Sequence, residues 1–375
     1  MVARHTPTPG APPPGFRGTA VFDLRERSLE RYAYLIPRLF YEAGYRTHIR
    51  PQLDVIGDPG YVGRYAKRVL TIPGATVGRG RPVDLETALY VTDRPYRQTG
   101  RPWGAILTVD YDWYGAPENA LVIPYTMHPN QYETGEARRA SAYRSSDRPI
   151  GVLFAGNADP AQYAAGPIVD VFGLLPRAEV AAALRDRTPV GRLCCPPPPP
   201  EIEGRKGTLS DLLRAVEVET AGATGYVVAP DGWRIRDGDW LALLARSSFF
   251  VAAPGVKAPL SHNVIEALAA GTVPITNYGH LMRPALTDRE ALLFSTADGL
   301  AACLRRALEM PEGERRVMSA AAAAYYDTHL APESFGTRVE RGTEGAPGAV
   351  IPLYANSGHR TVRAAGRPAG VGANH

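Results

Sequence analysis

The sequence predicts an α/β protein of two successive doubly wound domains, each a parallel sheet wrapped in helices, with a disordered tail at either end. Three observations lead there. Short apolar runs bounded by turn residues recur along the chain, as strands buried on both faces should. Segments with apolar residues at helical spacing lie between them, the alternation that builds parallel sheets. The alternation runs twice, interrupted at residues 135–149 by "GEARRASAYRSSDRP", which is polar, has no core stripe and is expected to be the interdomain linker.

Residues 1–17 are rich in proline and are expected to form a disordered tail. A first domain over 18–140 opens with the strand "TAVFDL", followed by a helix on which Leu29, Tyr32, Leu35, Ile36, Leu39, Phe40 and Ala43 share a face. Gly44 stops that helix, and Pro37 inside it is expected to kink it. "ALYVTD", "GAILTVDY" and "ALVIPYT" read as further strands. A second domain over 148–335 begins with the strand "IGVLFAGN" and continues with the helix "RAEVAAALRDR", the strand "TGYVVAPDG" and the helix "DGDWLALLARSS", for which Asp239 is the expected cap. "FFVAAPG" and "TVPITN" are strands, "DGLAACLRRALEM" is a helix, and another spans about 312–328. The run "CCPPPPPEIEG" is a stiff surface loop of polyproline II character. Residues 341–375, rich in Gly, Ala and Arg, are expected to form the second tail. Two such domains should face each other across a cleft, the expected ligand site, because these sheets bind at the carboxyl ends of their strands.

Composition narrows the function. A net charge of +4, spread among interspersed acids and bases, lacks the basic stripe that nucleic acid requires. No apolar run approaches a membrane span and no signal peptide is visible, so a cytoplasmic protein is expected. Cys194, Cys195 and Cys303 form no metal-binding pattern and are expected to be reduced. Only three of the 42 basic residues are lysines, which makes Lys257 in the segment below a mild sign that a compact ammonium is wanted there.

The segment "APGVKAPLSHNVIEALAAGTVPI", residues 253–275, gathers polar chemistry between two apolar runs. Gly255 ends a strand without a side chain, and Ser261 can cap the helix that follows. Exposed N–H groups and the positive helix end then suit an anion such as a diphosphate, to which Lys257 or His262 could add charge. Glu266, just over one turn in, is placed for the hydroxyls of a neighbouring ribose. The alternative is an ordinary strand-to-helix connection with a solvated glutamate.

These residues carry a resemblance. The run "SSFFVAAPGVKAPLSHNVIEALAAGTVPI" resembles the donor-binding segment of two-Rossmann (GT-B) glycosyltransferases, most closely the exostosin-like families, at Pro254, Gly255, Ser261, Glu266, Ala267, Gly271, Val273 and Pro274. "RPIGVLFAGN" is similar to the strand and glycine turn that open the C-terminal domain there, placing Gly156 and Asn157 at the cleft. The resemblance covers about residues 148–335. It implies a nucleotide-sugar-binding C-terminal domain, an N-terminal acceptor domain, and a ribose held by Glu266. Two departures matter. The family's arginine is Asn263 here, so charge on the diphosphate must come from Lys257, His262 or a more distant arginine such as Arg205 or Arg283. The second glutamate of retaining relatives, eight positions before Glu266, is Ala258, which favours inversion.

Inverting transfer needs a base for the acceptor hydroxyl and positive charge for the leaving diphosphate. "TVDYDWYG" puts Asp110 and Asp112 at the end of a strand, and either could be that base. Their spacing also matches the D-x-D of metal-dependent transferases, and a solvated turn is the plain alternative. His128 after the next strand is the rival base, and Asp23 a weaker one. The expectation is a glycosyltransferase with a nucleotide sugar as substrate, a glycan or glycoconjugate as acceptor, and no required cofactor or metal. It would act in polysaccharide biosynthesis, peripheral at the inner face of the membrane where the acceptor is membrane-bound. A catalytically silent nucleotide-sugar-binding or scaffold protein and a sugar-nucleotide epimerase are the alternatives.

Overall fold

The computed structural model describes residues 16–25, 31–50, 65–78, 86–95, 103–157, 159–163, 167–202, 205–230, 232–255, 258–345 and 347–356. These form two compact units, the described residues of Met1–Pro124 with Ala331–Ala364 and those of Tyr125–Leu330.

The first unit is built on strands β1 (Gly18–Asp23), β2 (Tyr45–Ile49), β3 (Thr76–Val77), β4 (Leu89–Thr92), β5 (Ala105–Asp110), β6 (Leu121–Val122) and β15 (Val350–Tyr354). Their order is β3-β2-β1-β4-β5-β15-β6, and every pairing is parallel. β1, β4 and β5 lie where their apolar runs predict, while "ALVIPYT" contributes only the two residues of β6. Helix α1 (Tyr32–Glu42) continues through Pro37 and buries nearly its whole circumference. It can do so because Arg38 and Glu42, one turn apart, neutralise each other at 2.6 Å in the interior. Gly44, at φ +95°, takes the left-handed conformation that ends it.

The C-terminal segment departs from expectation. Residues 341–356 are not a tail: helix α9 (Pro332–Thr343) and then β15 belong to the first unit, and β15 pairs with β5 from Val350↔Ile106 to Tyr354↔Asp110. Residues 357–375 lie outside the described residues, as do residues 1–15 of the expected N-terminal tail. Arg17, assigned to that tail, donates its backbone N–H to Gly44 O.

The second unit carries β7 (Ile150–Leu153), β8 (Leu193–Cys194), β10 (Val227–Val228), β12 (Ser247–Ala252), β13 (Val273–Thr276) and β14 (Leu292–Leu293), with β9 (Lys206–Gly207) and β11 (Arg234–Ile235) as a separate pair. The main sheet runs β14-β13-β12-β7-β10-β8, again all parallel. Its helices include α2 (Pro129–Glu133), α3 (Arg177–Arg187), α4 (Leu209–Thr220), α5 (Trp240–Ala245), α6 (His262–Ala269), α7 (Ala297–Glu309) and α8 (Glu312–Tyr325). Asp239 does not cap α5; its carboxylate accepts from the Leu209 N–H at 3.3 Å instead. Among the described residues no helix is long and apolar enough to cross a membrane.

The polar stretch read as a linker is part of this unit. A 3₁₀ helix spans Glu136–Ser145, and Arg144 within it and Arg148 just after it do structural work on α6. Arg144 Nε donates to Ala269 O at 2.9 Å, and Arg148 donates to Ala270 O, Ser247 O and Thr272 Oγ1. Burial pushes the Arg148 guanidinium down to about 10, so it stays cationic at neutral pH. The segment has no apolar stripe, and its guanidinium groups anchor it through backbone carbonyls and, from Arg144, the Asp327 carboxylate at 2.7 and 2.8 Å.

The position of β15 makes a direct prediction. Leu353 is fully buried in that strand, so Leu353→Ala should destabilise the protein by about 2–5 kcal/mol in denaturant unfolding. A change within about 0.5 kcal/mol, the range of surface substitutions, would mean that the segment is a tail after all.

Candidate functional site

In the second unit β8 and β10 lie on one side of β7 and β12, β13 and β14 on the other. The strand order therefore reverses between β7 and β12, and the connections leaving their carboxyl ends part to open a crevice, the usual ligand position in such sheets. The chain places Phe154-Ala155-Gly156-Asn157 after β7 and Ala253-Pro254-Gly255 after β12.

Arg177, the first residue of α3, spans these two connections. Its Nε donates to Pro254 O at 3.0 Å, Nη2 to Ala253 O at 3.2 Å and Nη1 to Asn157 O at 3.2 Å, and the Tyr163 ring lies 4.5 Å from the guanidinium. Among the described residues its partners are carbonyls and an aromatic face, with no carboxylate. Burial pushes its pKa below the ordinary arginine value, opposed by the nearby Tyr163, Tyr278 and Tyr125. Sequence reading missed this residue, yet a signal was present. A cation in the first turn of a helix opposes the helix dipole, so "LPRAEV" puts an arginine where electrostatics alone would not.

Gly156 has φ +137°, a conformation that side chains resist. A Cβ there would lie 3.8 Å from Asn263 Nδ2 and 3.9 Å from Arg177 Nη1. The structure thus brings together Gly156, Asn157, Asn263 and Arg177 at the carboxyl end of β7. Gly156 and Asn157 are exposed and Asn263 half-buried, so the space between them is open to solvent.

The other expected donor-binding residues are placed differently. Gly255 does not leave room for a ligand, because a Cβ there would meet Ala258 O at 2.5 Å; its own chain requires the glycine. Lys257 lies outside the described residues. Ser261 stands at the N-cap of α6 but its hydroxyl is paired with Tyr278 Oη at 2.9 Å, leaving the helix without a side-chain cap. His262 is buried rather than exposed in the first turn. Its Nδ1 donates to Thr126 O at 2.6 Å and its ring packs beside Tyr125 and His128.

Glu266 is only 1% exposed. One carboxylate oxygen accepts from the His128 backbone N–H at 2.8 Å and the other from Trp240 Nε1 at 2.6 Å. His262 and Glu266, four apart, share the face of α6 that meets residues 126–128, whereas Asn263 points to the switch point. His128 itself caps α2: its Nδ1 accepts the Asn130 N–H at 3.3 Å, so the neutral ring keeps its proton on Nε2. That tautomer has no free ring lone pair for a base role.

Asp110 and Asp112 belong to the first unit. Asp110 ends β5 and accepts the Asp112 N–H at 2.9 Å, and Asp112 accepts the Gly115 N–H at 3.1 Å. Each spends one oxygen on a local turn, and both are exposed. Asp23 ends β1 beside Arg25 and Tyr90 Oη, at 2.8 and 2.7 Å. Burial raises its pKa, but the Arg25 and Tyr90 hydrogen bonds, with the charges of Arg25 and Arg50, outweigh that and hold it below the usual value, which makes it a poor base.

The buried glutamate predicts a stability effect. Glu266→Ala leaves Trp240 Nε1 and the His128 N–H without this acceptor and should lower unfolding free energy by about 1–3 kcal/mol, with Trp240→Phe costing less. Equal stability of Glu266→Ala and wild type in urea would show that the network does not form in solution.

No curated protein matches the sequence at a significant level. Among solved structures, the chain is similar to a sucrose-phosphate synthase from Thermosynechococcus elongatus at 13% identity and TM-score 0.38, covering 86% of this chain and 97% of that one. It is similar to Anabaena HepE in complex with UDP at 10% and 0.40, covering 86% and 98%. A glycosyltransferase from Rickettsia africae matches at 9% and 0.44, covering 88% and 98%. Residues 205–340, which include α4 through α8, match the family model described as "Glycosyl transferase-like". The glycosyl transferase-like segment therefore covers the later part of the second unit, with α6, Asn263 and Glu266 inside it, and runs on into α9 of the first.

Proposed function

We propose that the chain is a glycosyltransferase of the exostosin-like, GT-B kind. It takes a nucleotide-sugar donor in its second unit and transfers the sugar, with inversion, to a glycan or glycoconjugate acceptor in polysaccharide assembly. The observation that carries this reading is the glycosyl transferase-like match over residues 205–340, which contains the helix whose uncapped N-terminus stands at the strand-order reversal. Fold alone would not support it, because such sheets serve many chemistries. A helix end without a side-chain cap, beside an arginine whose partners among the described residues include no carboxylate, suits the phosphates of a nucleotide sugar.

In the proposed reaction the acceptor oxygen attacks the anomeric carbon and a new C–O bond forms. The bond to the diphosphate breaks, and its electron pair leaves with the nucleoside diphosphate. The hydroxyl proton passes to a base, assigned to Asp110 or Asp112, each of which keeps one carboxylate oxygen outside its local turn. Ala258, where retaining relatives are expected to carry glutamate, supports inversion. Glu266, buried with both carboxylate oxygens engaged by the His128 N–H and Trp240 Nε1, is assigned no contact with the donor. No metal or cofactor is assigned, and a cytoplasmic location, peripheral to a membrane-bound acceptor, completes the reading.

A panel of nucleotide sugars tested by thermal melting should contain one donor that raises Tm by several degrees, since ligand at a hundredfold over Kd contributes about 2.7 kcal/mol. A panel with no shift would sink the reading. Donor binding without transfer to any acceptor would leave a binding protein rather than an enzyme.

With the donor known, proton NMR of the product should show the anomeric configuration inverted. Replacing the true base, by Asp110→Asn or Asp112→Asn, should lower kcat by roughly a hundredfold with little change in donor affinity. Near-normal turnover in both variants refutes the base assignment. Activity should survive EDTA; loss restored by manganese would turn these aspartates into metal ligands.

A further inference from the structure

We propose that Asp112, and not Asp110, takes the acceptor proton, and that Gly115 is the positioning residue that seats its carboxylate. That a base is needed rests on the functional reading above; the seat rests on the geometry of the first unit alone.

The segment Asp110–Gly115 alternates exposed carboxylates with buried rings. Tyr111 and Trp113, on either side of Asp112, are 4% and 2% exposed, whereas Asp110 and Asp112 are both exposed. Two anchored aromatics therefore bracket residue 112 and hold its backbone. The chain that follows β15 fixes the same turn. Ala355 donates its N–H to Asp110 O at 2.7 Å, and Asn356, 2% exposed, forms an antiparallel bridge with Asp112.

The two carboxylates differ in what locates them. Asp110 Oδ1 accepts the Asp112 N–H at 2.9 Å, a bond that shapes the turn. Asp112 Oδ1 accepts the Gly115 N–H at 3.1 Å, and the rest of the group lies over the bare Cα of Gly115. A Cβ there would collide with Oδ2 and lie 2.7 Å from Cγ and 3.0 Å from Oδ1. Gly115 is not among the glycines with positive φ, so the absence of a side chain answers to the carboxylate and not to the backbone. Asp112 is thus fixed at one oxygen by a hydrogen bond and at the other by the space a missing side chain leaves.

Such fixing matters for proton transfer, because a base acts only within hydrogen-bond reach of the proton, and a misplacement of about 1 Å can cost about a hundredfold. As the acceptor oxygen bonds to the anomeric carbon, the pair of the breaking C–O bond leaves with the nucleoside diphosphate. The hydroxyl proton passes to Asp112 Oδ2, the oxygen that the Gly115 N–H does not occupy.

The test is Gly115→Ala in the full chain, with the donor identified by thermal melting. The added methyl forces the Asp112 carboxylate off its seat. It should lower kcat roughly tenfold to a hundredfold, with the KM for donor and the Tm close to wild type. On an Asp112→Asn background the same substitution should have little further effect, and on an Asp110→Asn background it should keep its full effect, a pattern that general loosening of the turn would not give. Unchanged kcat in Gly115→Ala, losses that add with Asp112→Asn, or a loss in Asp110→Asn as large as in Asp112→Asn would each overturn the proposal. Should Gly115→Ala fail to fold, that last comparison decides alone. Carbon-13 NMR of side-chain-labelled aspartate reads the seat without turnover. The carboxyl signal that vanishes in Asp112→Asn should move in Gly115→Ala, and a signal that stays in place overturns the positioning. Should that signal move in a chain that transfers no sugar, the functional reading fails, the base falls with it, and the seat on Gly115 stands.

Discussion

Two guanidinium groups at one end of a short helix set the terms for the second unit. Arg144 and Arg148 donate to the carbonyls of Ala269 and Ala270, where α6 ends and where its negative dipole end would otherwise be buried without compensation. Arg148 reaches further, to Ser247 O at the start of β12 and to Thr272 Oγ1 just before β13. One cation thus ties the helix to the two strands that flank it in sequence. With the carbonyl end closed by charge and the hydroxyl of Ser261 engaged elsewhere, the amide end is the pole of α6 left for other partners.

The faces of α6 divide the labour. Along one line His262 and Glu266 hold residues 126–128, through Thr126 O and the His128 N–H, while Trp240 closes the same carboxylate from α5. Along another, Asn263 looks to Gly156. A residue of the family pattern can therefore keep its place in sequence and gain a structural duty. Glu266 is fixed in a buried, doubly hydrogen-bonded setting that a solvated glutamate would not have.

How much of this was legible follows from what carried each element. β1, β4, β5, β7, β12 and β13 were readable because strands buried on both faces are written as continuous apolar runs. The segment 136–148 was not, because its anchors are arginines whose partners are backbone carbonyls far away in sequence, and no periodicity records such bonds. β15 escaped because its partners, β5 and β6, lie more than two hundred residues earlier, and "VIPLY" stands alone among Gly and Ala. Around residues 255–266 the glycine-and-helix pattern marks the start of α6, but side-chain direction could not be read from it: Gly255 accommodates its own chain, His262 turns inward, and Arg177, at a helix start that the pattern does not include, bonds the carbonyl of Pro254.

The place of β15 also orders events during synthesis. The sheet of the first unit lacks an interior strand until residue 354 exists, because β6 joins the sheet through β15 and not through β5. The described residues of the second unit end at Leu330. On a ribosome releasing the chain from its N-terminus, the second unit can close its core while β5 still presents an unpaired edge. The usual order, in which the N-terminal part folds first, is inverted here, and the early strands must wait, exposed, for a partner more than two hundred residues further along the chain.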